Sequence, residues 1–198
     1  MSKSKTHTVK FGRKRNGKTD YRKRIKYLSS NKIRIVIRPS NNKIIIQAIE
    51  FNENGDKCLL SVDSTSLRKY GWKGSTGNIS AAYLTGILFG NTIKEKVKEG
   101  IVDFGLHSVT KGTRLPATIK GLIDSGLGVP CSKDIFPNDD VISGKLLSVY
   151  SSELKKTSPE KYEKQFSKYL KIGLNPEDLP KNFEEVKTKL MGSNEKTK

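Results

Sequence analysis

The sequence predicts one mixed-sheet α/β domain over residues 30–133, with its elements in the order β-β-β-α-β-α. A basic arm (1–29) precedes it and a helical extension (134–198) follows. Three observations lead there. Two β-branched runs, IRIVIR (33–38) and KIIIQAIE (43–50), are separated only by PSNN, which is turn chemistry. A glycine-rich loop opens a stretch with apolar residues at helical spacing, which feeds the short apolar string IVDFGL (101–106). A strand entered directly from a helix joins its sheet in parallel.

Residues 1–20 hold too few apolar side chains for a core and are expected to be disordered when free. In DYRKRIKYLSS, Thr19 or Asp20 caps a short helix on which Tyr21, Ile25 and Leu28 share a face, decorated by Arg22, Lys23, Arg24 and Lys26. On the first strand Lys32, Arg34 and Arg38 alternate with Ile33, Ile35 and Ile37, so one face goes to the core and the other is cationic. Asn54-Gly55 turns the chain into a third strand, CLLSVD (58–63). Asn78 or Ser80 then caps a long helix carrying Ala82, Leu84, Ile87, Leu88, Ile93 and Val97 on one face, which Gly100 stops. Residues 107–130 supply a loop and a second helix, ended by Gly126 or Gly128 and Pro130. From about Asp134 onward the chain is charged, helical in period and broken at Pro159, Pro176 and Pro180. It reads as an extension that packs on a partner.

The bulk numbers name the partner's chemistry. The 198 residues contain 38 Lys+Arg against 20 Asp+Glu, a net charge of +18. Fourteen of those cations and only one acid, Asp20, lie in residues 1–38. So many cations opposed by one carboxylate call for a polyanion. Cys58 and Cys131 stand far apart with no CxxC or Cys/His cluster, as in a reduced cytoplasmic protein. No apolar run approaches the ~20 residues of a membrane span, and no apolar segment follows the basic N-terminus to make a signal peptide. A soluble chain without a membrane partner is expected.

The stretch YGWKGSTGN (70–78) invites a nucleotide reading that its spacing denies. A Walker A loop needs GxxxxGK and a hydroxyl residue, but Gly77 is followed by Asn78. A dinucleotide fingerprint needs GxGxxG, whereas two residues separate Gly71 from Gly74. What remains is a loop with exposed amides, Lys73 and a helix N-terminus behind it, suited to a nucleic-acid phosphate. Trp72 is either an aromatic platform for a base or a core residue, and the sequence leaves both open.

The element order is also that of ribonuclease H-like nucleases, which makes a nucleic-acid enzyme the alternative. Those enzymes hold two Mg²⁺ ions with carboxylates on the first strand, first helix and fourth strand. Here the first strand has no acid, Asp103 stands without the others, and an arginine at the metal position would repel the ions. No motif calls for a cofactor or a metal. His107, beside Ser108, Thr110 and Lys111, is a phosphate or 2′-OH donor or a structural loop histidine; Lys111 and Arg114 sit at a helix start. The arm, KFGRKRNGKTDYRKR, interleaves cations with Phe11 and Tyr21, the mixture that neutralises phosphates and stacks on bases. With no helix-turn-helix, zinc-finger or zipper pattern, folded RNA suits it better than duplex DNA.

The strings GKTDYRKR, SNNKIIIQ, KYGWKGSTGNISAAYLTGIL, DFGLHSVTKGTR and GLIDSGLGVP resemble, in that order, the large-subunit ribosomal protein that binds 5S rRNA. That is the L eighteen family, called L five in eukaryotes, and the likeness spans roughly residues 8–150. The string YEKQFSKYLK is similar to the C-terminal extension of its archaeal and eukaryotic branch. The resemblance implies a non-enzymatic, ribosome-bound protein with a ribonuclease H-like core. It would clamp 5S rRNA in the central protuberance, touching large-subunit rRNA and neighbouring ribosomal proteins. The contacts it implies are Arg13, Arg15, Lys18, Tyr21, Arg22 and Arg24 of the arm; Ser40, Asn41 and Lys43 of the hairpin; and Trp72, Lys73, His107 and Lys111 of the loops. Lys10, Lys14, Lys23 and the strand cation Arg38 complete the candidate set.

Overall fold

A computed structural model describes residues 8–192. The sheet contains β1 (Arg34–Pro39), β2 (Ile44–Glu50), β3 (Lys57–Asp63) and β4 (Ile101–Asp103), in the spatial order β3-β2-β1-β4. The first three strands form an antiparallel meander, and β4 adds in parallel beside β1, with Val36 opposite Asp103. One face carries Ile35, Ile37, Ile44, Ile46 and Ala48, all fully buried, and packs on α3 (Ile79–Ile93) and α4 (Arg114–Asp124). The two helices cross through glycines. A Cβ on Gly86 would stand 2.4 Å from the Thr118 carbonyl oxygen, and one on Gly121 would stand 2.2 Å from that of Tyr83. Asn78 is the α3 cap, its side chain accepting from the Ala81 amide at 2.8 Å.

Several expectations are corrected. The first long helix ends at Ile93 and not at Gly100, because the chain must turn to enter the sheet: Gly100 N–H bonds the Gly128 carbonyl and Ile101 N–H that of Ile33. Val97 is still buried, one turn past Ile93. The fourth strand stops at Asp103, whose carboxylate accepts from the Gly105 amide (2.6 Å) as Gly105 takes φ +63°. Ser64–Tyr70, without prediction, is a 3₁₀ segment capped by Asp63 and closed by Gly71 at φ +93°. In the arm, residues 12–15 form one helical turn, α1 (Gly12–Arg15), where disorder was expected; residues 1–7 of that expectation lie outside the described residues. The next helix, α2 (Tyr21–Leu28), is capped by Asp20 as expected, but Ile25 faces outward, 65% exposed.

The largest correction concerns the extension. It forms α5 (Asp139–Ser143), α6 (Lys145–Thr157), α7 (Pro159–Lys171) and α8 (Leu179–Gly192), and it packs on the chain's own core, to which it contributes Ile142, Leu174 and the apolar side of α8. Leu179, Phe183, Val186 and Leu190 of α8 are buried, with the Phe183 ring 5.8 Å from that of Tyr83. The 3.6-residue apolar stripe that forces this burial is interrupted by so much charge that composition alone suggested an exposed helix.

Candidate nucleic-acid interface

Helix α2 lies beside the sheet face opposite the core, and a network of charges joins them. Arg24 of α2 donates to both oxygens of Asp56 (3.0 and 2.8 Å), and Arg34 of β1 donates to the same carboxylate at 2.6 Å. Arg34 also lies 3.5 Å from Asp103, as does Arg38, which donates to the Asp103 carbonyl at 2.7 Å. Arg34, expected on an open cationic face, is therefore only 3% exposed: two carboxylates far away in sequence pair with it. Burial pushes the Asp56 carboxyl up, but the hydrogen bonds from Arg24 and Arg34 outweigh it and hold the group below the usual carboxylate range. Burial, reinforced by the Asp103 charge, raises the nearby Tyr27 phenol.

Between α2 and the sheet lies a cleft of about 180 Å³, lined in part by Arg13, Lys18, Lys23, Arg24, Arg34 and Arg38. Arg13 is oriented by a bond to Thr19 (2.9 Å), and the Phe11 and Tyr21 rings pack 5.0 Å apart at the mouth of the arm. Lys10, Lys14, Arg15, Lys18, Arg22 and Lys23 are exposed, and none forms an ion pair among the described residues. The structure thus brings together the arm cations and Arg38.

Two residues beyond Arg38, the β1–β2 turn starts a second cluster. Ser40 and Lys43 bond each other across the turn (2.7 and 3.1 Å). Thr76 of the glycine loop donates to the Asn42 carbonyl at 2.6 Å, and Arg114, at the α4 N-terminus, donates to the carbonyls of Ser40 (2.7 Å) and Gly77 (3.1 Å). Gly77 is required here because a Cβ would meet the Asn41 carbonyl oxygen at 2.6 Å. Ser40, Asn41 and Lys73 remain exposed on this assembly, and His107 and Lys111 are exposed on the loop leading to α4. Lys43 is half-buried, 3.5 Å from Asp63.

Trp72 does not join them. Its ring is buried (3% exposed), its Nε1–H donates to the Ser75 carbonyl, and Gly74 packs so close that a Cβ would stand 2.5 Å from the indole. The ring is a core residue in the interior of the glycine loop, and a base has no face of it to stack on. Gly74 and Gly77 therefore serve close packing, against Trp72 and the hairpin, while Gly71 supplies the left-handed turn that closes the 3₁₀ segment. Sequence reasoning missed the brace from behind: Asn182 of α8 donates to the Gly71 carbonyl (3.0 Å) and accepts from the Lys73 amide (3.1 Å). An asparagine amid a charged helix carries no signal of such a role. It also passed over Arg114 as the tie between hairpin and loop, although its place at a helix start was legible.

The network bears on the enzyme alternative. Asp103 is engaged by two guanidinium groups and a backbone amide, and among the described residues no three carboxylate, His or Cys side chains cluster as metal ligands. Comparison with known proteins bears on it as well. The family profile described as "Ribosomal large subunit proteins 60S L5, and 50S L18" matches residues 5–100. The large ribosomal subunit protein uL18 of Caldivirga maquilingensis is 44% identical over 193 residues, covering 96% of this chain and 93% of that protein. This chain belongs to the uL18 family. Its family is one of large-subunit ribosomal proteins, so its role is structural and within translation. The uL18 match runs through the extension as well as the core, in line with their shared packing.

Proposed function

We propose that this uL18-family chain binds 5S rRNA and helps anchor it to the large-subunit rRNA in the central protuberance, in the cytoplasm and without catalysis. One observation carries the reading: the exposed arm cations, without ion pairs among the described residues, share a cleft with the partly exposed Arg38, which Asp103 holds two residues from the hairpin turn, on a chain of a large-subunit ribosomal family. Phosphate neutralisation by such cations releases counterions and supplies most of the affinity. Arg13, Arg15, Lys18, Arg22 and Lys23, with Lys10 and Lys14, grip the backbone. Tyr21 offers an aromatic edge beside Phe11. Ser40, Asn41, Lys43, Lys73, His107 and Lys111 make the second set of contacts. Residues 1–29 act as the arm, 30–133 as the mount, and 134–198 as the brace behind the glycine loop; neighbouring proteins of the protuberance complete the surroundings. We read the sheet as ribonuclease H-like, supported by the parallel placement of β4 beside β1, with Arg34 standing where metal would. Filter binding of the full chain to 5S rRNA tests this. Submicromolar affinity with a steep salt dependence, and footprints that fade in arm variants, are expected. Equal affinity for duplex DNA, or Mg²⁺-dependent cleavage of RNA abolished by Asp103→Asn, refutes it.

A further inference from the structure

Helix α7 presents a feature that the proposed contacts do not use. Lys161, Lys164, Lys168 and Lys171 recur at i, i+3, i+7 and i+10, and all four are exposed. At 3.6 residues per turn this places them within an arc of about 80°, along roughly 15 Å of helix. The two acids of the helix, Glu160 and Glu163, fall outside that arc, and among the described residues none of the four lysines has an ion-pair or hydrogen-bond partner. Some lysines elsewhere are paired: Lys32 with Glu99, Lys120 with Asp139, Lys155 with Glu177.

The opposite face fixes the stripe rigidly. Tyr162 and Phe166 are buried, with rings 5.3 Å apart, and Phe166 also packs against Tyr150 (6.5 Å) and Tyr169 (6.3 Å). The Tyr169 hydroxyl accepts from the Ser75 amide, tying α7 to the glycine loop. The ring-bearing face is spent internally, and the exposed apolar side chains are confined to the C-terminal end of the helix, at Leu170 and Ile172. What the helix offers is a row of strongly hydrated point charges, the residue type that contacts phosphates without reading bases.

We infer that the α7 lysine stripe is a second phosphate-binding face, which engages the backbone of an RNA segment other than the one held by the arm. This rests on the RNA-binding reading above and deepens it: the stripe on α7 is assigned as a place where the chain holds the second RNA segment. A duplex presents about nine charges over 15 Å, enough to engage all four lysines.

The test uses the full chain and a labelled 20-base-pair RNA duplex of arbitrary sequence, titrated between 50 and 200 mM KCl onto the chain saturated with unlabelled 5S rRNA. The variant replaces the four lysines with Gln, which has nearly the same helix propensity; circular dichroism verifies its folding. Its duplex affinity is expected to fall at least tenfold, with a log–log salt slope shallower by about 3. Its 5S affinity stays within twofold, and the Lys→Arg variant restores duplex binding. Unchanged duplex affinity and slope overturn the inference, leaving the stripe to solvent or an acidic protein. A loss of 5S binding as large as that of an arm variant also overturns it, since the stripe then belongs to the first site. Should the wild type fail to bind 5S rRNA, the earlier reading falls by itself. The duplex titration of free wild type against the Gln variant then still decides the stripe, by the same slope difference.

Discussion

Replacing Asp56 with Asn would remove the charge that joins the arm helix to the sheet. Asp56 is the shared acceptor of Arg24 and Arg34, and the two arginines differ: the Arg34 side chain is 4% exposed, that of Arg24 34%. The Arg24 pair is near the surface and contributes on the order of 0.5 kcal/mol. Removing the partner of a fully buried cation costs about 3–5 kcal/mol. Here Asp103 remains 3.5 Å from Arg34, and Asp56 is itself 23% exposed, so the loss should be about 2 kcal/mol. Urea denaturation at pH 7 reads that figure, while hydrogen exchange over residues 21–28 reads release of α2. Arg24→Gln, by contrast, should speed exchange in α2 with almost no change in stability. The pH dependence has a fixed sign. Because the folded Asp56 pKa lies below the ordinary 3.8, its contribution is full above 3.8 and is lost only as pH falls through the lower folded value. Asp56→Asn should therefore flatten the acid limb of the stability curve. A destabilisation under about 0.5 kcal/mol, with α2 exchange unchanged, would show that the network does not hold the arm, since loss of the partner of the buried Arg34 should exceed that size.

Three further outcomes follow from the same geometry. The triple variant Arg13→Gln, Arg15→Gln, Arg22→Gln should leave the melting temperature unchanged and make the salt slope of 5S rRNA binding shallower by about 2–3, as filter binding would show; an unaltered slope removes the arm from the interface. Trp72→Ala should cost about 3–5 kcal/mol in denaturant unfolding while the folded fraction keeps its RNA affinity within twofold. A loss of about 1–3 kcal/mol in affinity would instead mean that the ring stacks on a base. Asn182→Ala should destabilise by about 1–3 kcal/mol, because the Gly71 carbonyl and Lys73 amide lose their partner, and exchange at the Lys73 amide should quicken. Unchanged exchange there would deny the extension its bracing role.

Local chemistry was legible wherever it was sufficient. β-branched runs and PSNN specify the β1–β2 hairpin, Asp20 and Asn78 cap the helices they precede, and Gly126 at φ +95° follows α4. What the sequence left open depended on partners distant in the chain. Arg34 alternates with isoleucines as an outward cation should, yet the β2–β3 loop and β4 each bring a carboxylate to it. Trp72 in a glycine loop has the composition of a stacking platform, but α8 returns to cover it with Leu179, which would touch a Cβ on Gly74 at 3.0 Å. The extension misled for the same reason: its apolar residues are sparse, and only the three-dimensional gap over α3 shows that they suffice to close the core. For the candidate site, the arm and hairpin cations could be read directly because exposed charge needs no partner to be recognised. The division of those cations between structure and binding could not.

That division explains how so cationic a chain can fold at all. One set of cations is matched inside the molecule: Arg24 and Arg34 by Asp56, Arg34 and Arg38 by Asp103, Lys32 by Glu99, Lys43 by Asp63. These set the angle of the arm against the sheet and the shape of the hairpin. The other set, Lys10, Lys14, Arg15, Lys18, Arg22, Lys23, Lys73 and Lys111, is exposed and without ion pairs among the described residues, so its mutual repulsion is left to screening by salt and its charge is available to a polyanion. Substitutions at Arg24, Arg34 and Lys32 should therefore register in folding and arm order, those in the second set in salt-dependent binding with stability intact, and those at Arg38 and Lys43, which are both paired and proposed contacts, in both. The carboxylate that a nuclease would use falls in the first set. Asp103 is spent on holding two arginines, so on the proposed ribonuclease H-like reading the carboxylate of the fourth strand helps to hold the sheet beneath the arm.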